Sequence, residues 1–151
     1  MQAKFKIETL RQIECFFATN LSLKPEKDKK YQIGLGFDIS FKKQRKLVIV
    51  NLKFFSQEKN QPFVFRIIME GVFRFEQLPT DEELEKIVHI NCASIMFPFI
   101  RESVADLTRR AGIPPLILDP INFVALYENM KKKSMENTEI KRKSKQSEFK
   151  N

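Results

Sequence analysis

The chemically versatile side chains of this sequence are few. His89 is the only histidine, and Cys15 and Cys92 are the only cysteines, among 151 residues. His89 and Cys92 make an H-x-x-C spacing in a segment of helical character. A structural zinc asks for four ligands, so Cys15 and a carboxylate would have to fold in beside them. A buried helical thiol next to a partly exposed histidine accounts for the same residues with no further demand. No glycine-rich phosphate loop and no G-x-S-x-G nucleophile turn occurs, and no carboxylate pair is set in an apolar stretch. The sequence therefore predicts no catalysis, no metal and no cofactor. Two cysteines are too few for a disulfide framework, and in the reducing cytoplasm both Cys15 and Cys92 read as buried thiols.

What remains is binding chemistry, apolar or cationic. Fifteen phenylalanines and 42% hydrophobic residues supply enough apolar surface for a core. The 27 Lys and Arg against 19 Asp and Glu leave a formal charge of +8, which taken alone points to a polyanion. That charge is unevenly placed, with net +3 over residues 1–130 and +5 over residues 131–151. The latter stretch, KKKSMENTEIKRKSKQSEFKN, has only Met135, Ile140 and Phe149 as large apolar residues. It is expected to be a disordered basic tail behind one domain formed by residues 1–130. Such a tail can hold phosphates, but solvating the protein is the simpler role. The N-terminal MQAKFKIETLRQIE carries charges every few residues, unlike a secretion signal. No run nears the ~20 apolar residues that span a bilayer, so membrane insertion is not expected.

The elements that must present this surface alternate with period two in the first half of the chain. Tyr31, Ile33, Leu35, Phe37, Ile39 and Phe41 fall on one face of a predicted strand over Tyr31–Phe41. A second, Lys46–Ser56, aligns Val48, Val50, Leu52 and Phe54, and the polar stretch Lys42–Arg45 between them suggests an antiparallel hairpin. A third, Pro62–Glu76, collects Phe63, Phe65, Ile67, Met69, Phe73 and Phe75 opposite Arg66, Glu70 and Arg74, with Gly71 at a bulge or a close backbone approach. The opening stretch Ala3–Thr19 is read as a fourth strand although it alternates less strictly: Phe5, Ile7, Ile13, Cys15 and Phe17 share a side that Arg11 interrupts.

Helices follow from Pro79 onward. Thr80 caps a first helix whose first turn is Asp81, Glu82 and Glu83. A longer one from Pro98 to Gly112 carries Ile100, Val104, Leu107 and Ala111 as its apolar stripe. A last, short helix opens at Asn122 and presents Phe123, Leu126, Tyr127 and Met130 on one face. Strands joined by turns and then followed by helices make an α+β domain.

The run INCASIMFPFIRE at residues 90–102, followed by VADLTRRAGIPPLILDPINFVALY at 104–127, closely resembles the closing half of SecB, the bacterial protein-export chaperone family. Phe97-Pro98, Arg101-Glu102, Asp106-Leu107-Thr108, Pro114-Pro115 and Pro120-Ile121-Asn122-Phe123 stand in the family's order. Upstream the likeness is one of strand length and order. The resemblance implies a four-stranded antiparallel sheet, then a long helix and a shorter C-terminal helix, assembled as a homotetramer that is a dimer of dimers. It also implies an ATP-independent holdase for unfolded preproteins. Solitary SecB-like chaperones of toxin–antitoxin systems, which hold an aggregation-prone antitoxin, suit the chain equally.

Carried over, the family's client surface points to Phe123, Leu126, Tyr127 and Met130 on the last helix, and to Ile33, Leu35 and Phe37 on the second strand. The same residues at the same spacings would serve as core. The long helix is assigned to subunit packing through Ile100, Val104 and Leu107, with Arg101 and Glu102 as polar interface residues. Family members are usually acidic on the sheet face that docks the translocase motor SecA. Here Arg66, Arg74, Lys24 and the basic tail put like charge there and argue against that contact. Val124 stands where the family commonly has aspartate, and Phe99 where it has tyrosine. The rival class is a basic, aromatic-rich nucleic-acid-binding module. Against it, the phenylalanines alternate as a buried face does.

Overall fold

Strict alternation in two central strands decides the two faces of the sheet. A computed structural model describes residues 3–23, 33–56 and 60–148. Strands β1 (Phe5–Thr19), β2 (Leu35–Gln44), β3 (Leu47–Ser56) and β4 (Phe63–Phe75) form one antiparallel sheet in the order β1-β4-β3-β2. Val48, Val50 and Leu52 of β3 and Phe65, Ile67 and Phe73 of β4 are buried on one face. Register sets Val50 opposite Gly71, Leu52 opposite Met69 and Phe54 opposite Ile67. The β2–β3 hairpin is tighter than the expected Lys42–Arg45 turn. Gln44 pairs with Leu47 across Arg45 and Lys46, and Arg45 takes a left-handed φ of 59°. Tyr31, at the expected start of the second strand, and Lys24, in the loop before it, lie outside the described residues. Ile33 is described and precedes β2 rather than belonging to it.

The weak alternation of the opening stretch has a geometric cause. β1 pairs with β4 in three segments separated by register shifts between Ile7 and Thr9 and between Gln12 and Glu14. Each bulge inserts one residue and reverses which parity faces the helices. Phe5 and Ile7 oppose Phe75 and Phe73, Leu10 and Gln12 oppose Gly71 and Met69, and Cys15 and Phe17 oppose Ile67 and Phe65. One strand thus stays in phase with β4 although its sequence does not keep period two.

Thr80 caps α1 (Asp81–Ile87), its hydroxyl accepting from the Glu83 N–H at 3.3 Å. A wide π-type turn, Val88–Cys92, then runs directly into α2 (Ala93–Arg110). Pro98, expected to open the long helix, lies inside α2. The exposed ring costs one backbone hydrogen bond, but Ala93, Met96 and Phe97 around it are buried against the sheet side and outweigh that loss. The π turn offsets part of the drift of the stripe. Each step of four residues turns about 40° around an α-helix, so a long i, i+4 series moves off its face. One looser turn takes back part of that rotation, and Leu84, Val88, Cys92, Met96, Ile100, Val104 and Thr108 are all buried.

α2 packs on β3 and β4. It comes down at Gly71, where a Cβ would sit 2.7 Å from Phe73 Cε2 and 3.1 Å from Met96 Sδ. Gly71 pairs with both Leu10 and Val50, and the inserted residues nearby belong to β1, so the glycine marks a close approach and not a bulge of its own strand. After α2 the chain turns at Gly112, with φ 77°. The buried Thr108 hydroxyl then holds the connection. It donates to Val104 O at 2.8 Å and accepts from the Leu116 N–H at 2.9 Å.

By contacts the chain divides into two compact units, residues 1–119 and 120–151. The second contains α3 (Phe123–Glu148), capped by Asn122, whose Oδ1 accepts from the Ala125 N–H at 3.1 Å. The sequence reading ends this helix near Met130 and expects disorder through residue 151; the helix instead continues to Glu148. Counting apolar residues overlooked local propensity. Residues 131–148 are rich in Lys, Glu, Met, Arg and Gln, contain no Gly or Pro, and place Glu139 four residues before Lys143. Residues 149–151 lie outside the described set.

Candidate functional site

The first unit offers an apolar strip along edge strand β2. Leu35, Phe37, Ile39 and Phe41 lie on the face shared with the buried β3 residues and are half-buried. Phe37 stacks on Phe54 at 5.5 Å, and Phe54 meets Phe97 of α2 at the same separation. The strip is therefore anchored to the core on one side and open on the other. Leu35 and Phe37 belong to it as expected from the alternation. Ile33 stands half-buried just before the strand. Ile39 and Phe41 were not chosen as site residues, although the same alternation carried that signal. Ile117, 62% exposed in the connection after α2, was also missed, and nothing in its spacing distinguishes it.

In the second unit, Phe123, Leu126, Tyr127 and Met130 span an arc of about 100° on α3. Phe123 and Tyr127 are buried; Leu126 and Met130 are exposed. Any surface presented to a ligand on this face thus rests on Leu126 and Met130. Lys131 Nζ lies 5.5 Å over the Tyr127 ring.

The long-helix assignments divide. Ile100 and Val104 are buried beneath the sheet and are core residues, because their i, i+4 spacing continues the stripe that faces β3 and β4. Leu107 is half-buried. Arg101 is engaged within its own chain, its Nε donating to Leu118 O at 2.9 Å and its guanidinium lying 6.0 Å over the Phe97 ring. Glu102 and Phe99 are exposed and remain available on the outer side of α2.

On the far face of the sheet the arginines are paired. Arg66 meets Glu14 at 2.9 Å, Arg11 meets Glu70 at 2.9 Å, and Arg74 meets Glu8. The hydrogen bond from Arg74 holds the Glu8 carboxyl below its ordinary range. This face is a ladder of alternating charge rather than the free cationic surface expected from Arg66 and Arg74 alone.

His89 Nδ1 lies 2.8 Å from Glu85 O, one turn back on the same helix. Burial pushes the Cys92 thiol up to about 12, leaving it protonated and inert, while Cys15 is exposed on β1 and not buried as expected. Among the described residues no three His, Cys, Asp or Glu side chains converge as metal ligands, and no helix is long and apolar enough to cross a membrane.

Comparison with known proteins accounts for this arrangement. The family model for SecB, preprotein translocase subunit SecB, matches residues 12–134. Among curated proteins, the chain resembles protein-export protein SecB of Xanthobacter autotrophicus, 41% identical over 73 residues, which are 48% of this chain and 46% of that one. It is 44% identical over 80 residues to the Afipia carboxidovorans protein of the same name, covering 52% and 49%. With the Nitrobacter winogradskyi one it is 47% identical over 73 residues, covering 48% and 45%. The chain spans about half the length of the curated relatives it matches. Its fold is shared with the Mycobacterium tuberculosis SecB-like chaperone solved with a ChAD peptide from the HigA1 antitoxin, at a TM-score of 0.67 and 22% identity over 78% of this chain and 90% of that one. A Streptococcus agalactiae protein of unknown function shares it at a TM-score of 0.56 and 12% identity, over 80% and 100%. With 123 consecutive positions, residues 12–134, under the family model, the chain is a member of the SecB family.

Proposed function

We propose that the chain is a non-catalytic, ATP-independent holdase of the cytoplasm that binds unfolded segments through apolar surfaces, working as a homotetramer built as a dimer of dimers. The observation that carries this reading is the open strip Leu35, Phe37, Ile39 and Phe41 along β2, joined to the core through Phe54 and Phe97. A half-buried aromatic and aliphatic row asks its ligand only for exposed apolar side chains, which a folded protein hides. Full burial of one such side chain is worth about 1.5–3 kcal/mol. Each contact is therefore weak, and four copies acting on one extended client raise the effective concentration enough to hold it. Leu126 and Met130 on α3 add a second apolar surface. Unfolded preproteins and an antitoxin segment both satisfy this chemistry. On the far sheet face Glu8, Glu14 and Glu70 are each paired with an arginine. That balance supports client holding without the usual acidic contact to SecA.

The test is suppression of thermally induced citrate synthase aggregation without ATP, at low and raised salt. The wild-type chain is expected to suppress it in both. Leu126→Asp with Met130→Asp is expected to raise the half-maximal concentration about thirtyfold, because two partly buried contacts of about 1 kcal/mol each are lost. No suppression at a tetramer equivalent per client would overturn the holdase. Light scattering at the 17.8 kDa of one chain would overturn the tetramer.

A further inference from the structure

As an extended run, residues 131–146 mix seven cations with two carboxylates and specify no direction of charge. Folded as one helix they do. At 100° per residue, Lys141, Arg142 and Lys145 fall within about 100° of one another, and Lys131, eleven residues before Arg142, lies on the same face three turns back. Glu136 projects from the opposite side and Glu139 from its flank, together with Lys132 and Lys143, so over residues 131–146 no carboxylate shares the basic face and the cations elsewhere are largely offset. Ser134 and Thr138 fill the stretch of that face between Lys131 and Lys141, Thr138 Oγ1 donating to Ser134 O at 2.8 Å. Among the described residues, Lys141, Arg142 and Lys145 make no ion pair, and this part of α3 is exposed. The same helix formers that extend α3 thus sort its charge.

We propose that this face of α3 is a docking surface for the phosphate backbone of double-stranded nucleic acid, a function separate from client holding. Charge complementarity selects a polyanion. Rigidity selects among polyanions: a helix that fixes Lys141, Arg142 and Lys145 within about 6 Å of rise, and Lys131 about 15 Å before them, suits a strand whose phosphates are themselves held in place, as in a duplex. Residues 131–146 include no aromatic side chain on which unpaired bases could stack, which argues against single strands. A lipid surface would require an apolar face opposite the basic one. Met135 and Ile140 instead point in directions about 140° apart, and the side opposite the basic face is polar, with Lys132, Glu136 and Lys143. Contacts to phosphate alone carry no sequence preference, so DNA and RNA duplexes of any sequence should bind alike.

The test is fluorescence anisotropy of labelled 20-base-pair DNA and RNA duplexes with the full chain. About four phosphate contacts predict a slope near −3.6 in log affinity against log salt, a loss of roughly a hundredfold between 50 and 200 mM. Lys141→Gln with Arg142→Gln and Lys145→Gln is expected to weaken binding at least tenfold at 50 mM and to reduce that slope by about 2.7. The charge-matched control Lys132→Gln with Lys133→Gln and Lys143→Gln, on the remaining faces, should change binding by less than threefold. Equal loss in both triple variants, no duplex binding at 50 mM, or tighter binding to vesicles containing 30% phosphatidylserine would each overturn the proposal. Citrate synthase protection is expected to be unchanged in both variants, so failure here and failure of the holdase reading are separable.

Discussion

Gly71→Ala adds a single methyl group at the point where helix and sheet come closest. The new Cβ would stand 2.7 Å from Phe73 Cε2, 3.1 Å from Met96 Sδ and 3.2 Å from Phe73 Cζ, where ordinary contact begins at 3.4 Å. Phe73 and Met96 are both fully buried, so neither ring nor thioether can swing into solvent. Phe73 must retreat by about 0.7 Å into packed neighbours, and overpacking of this kind costs about 1–3 kcal/mol. Alanine's smaller loss of backbone freedom returns about 0.5–1 kcal/mol. The net expectation is destabilisation by about 1–2 kcal/mol, a fall in melting temperature of roughly 3–8 °C for a chain of this size. Urea unfolding at one fixed protomer concentration measures it, the midpoint falling while the slope m stays unchanged. Phe73→Leu removes the two ring atoms that clash. In a double-mutant cycle the alanine should therefore cost at least 1 kcal/mol less in the leucine background. An alanine variant as stable as the wild type, or one equally costly in both backgrounds, would refute the close-approach reading of Gly71.

Two further outcomes follow from buried polar groups. Thr108→Val removes the acceptor for the Leu116 N–H and should cost about 1–3 kcal/mol, with faster amide exchange at Leu116 as its local signature. For Cys92, the folded thiol is held near 12 against an ordinary value of 9.0, so above pH 9 the unfolded chain has lost a proton that the folded one keeps. Stability should then fall by up to about 1.4 kcal/mol per pH unit between pH 9 and 12. Cys92→Ala should flatten that decline, and an unchanged alkaline slope in the variant would show that other groups cause it.

How far the sequence reveals this fold depends on which force shapes each element. β2, β3 and β4 are legible because one buried face imposes period two, and Val48, Val50 and Leu52 declare it directly. β1 is legible as a strand but not in its facing, because its two bulges reverse parity between Ile7 and Thr9 and again between Gln12 and Glu14. Pro98 misleads as a start signal since burial of its neighbours outweighs one lost hydrogen bond, a balance that no local rule contains. The length of α3 was missed for the opposite reason: propensity, not burial, sustains it past Met130. Alternation puts Leu35 and Phe37 on the inward face, while their client-binding role is what the family resemblance implies. Ile100 and Val104, expected at a subunit contact, are already buried within the single chain; a helical stripe specifies that something covers it, not what the cover is.

The two bulges of β1 also bear on how the sheet finds its pairing. β1 and β4 are joined across more than forty intervening residues, so their alignment forms late and over a long loop. In an unbroken pair, a slip of two residues would preserve which side chains face inward and cost little. Here the strand is three short runs whose registers each differ by one, with the extra residues at Glu8 and Ile13. Sliding β1 by two would carry both kinks away from the positions on β4 that accommodate them, and would part Glu8 from Arg74 and Glu14 from Arg66. An interrupted strand therefore has a single alignment where a regular one has several, so the longest-range pairing in the sheet is also the least ambiguous.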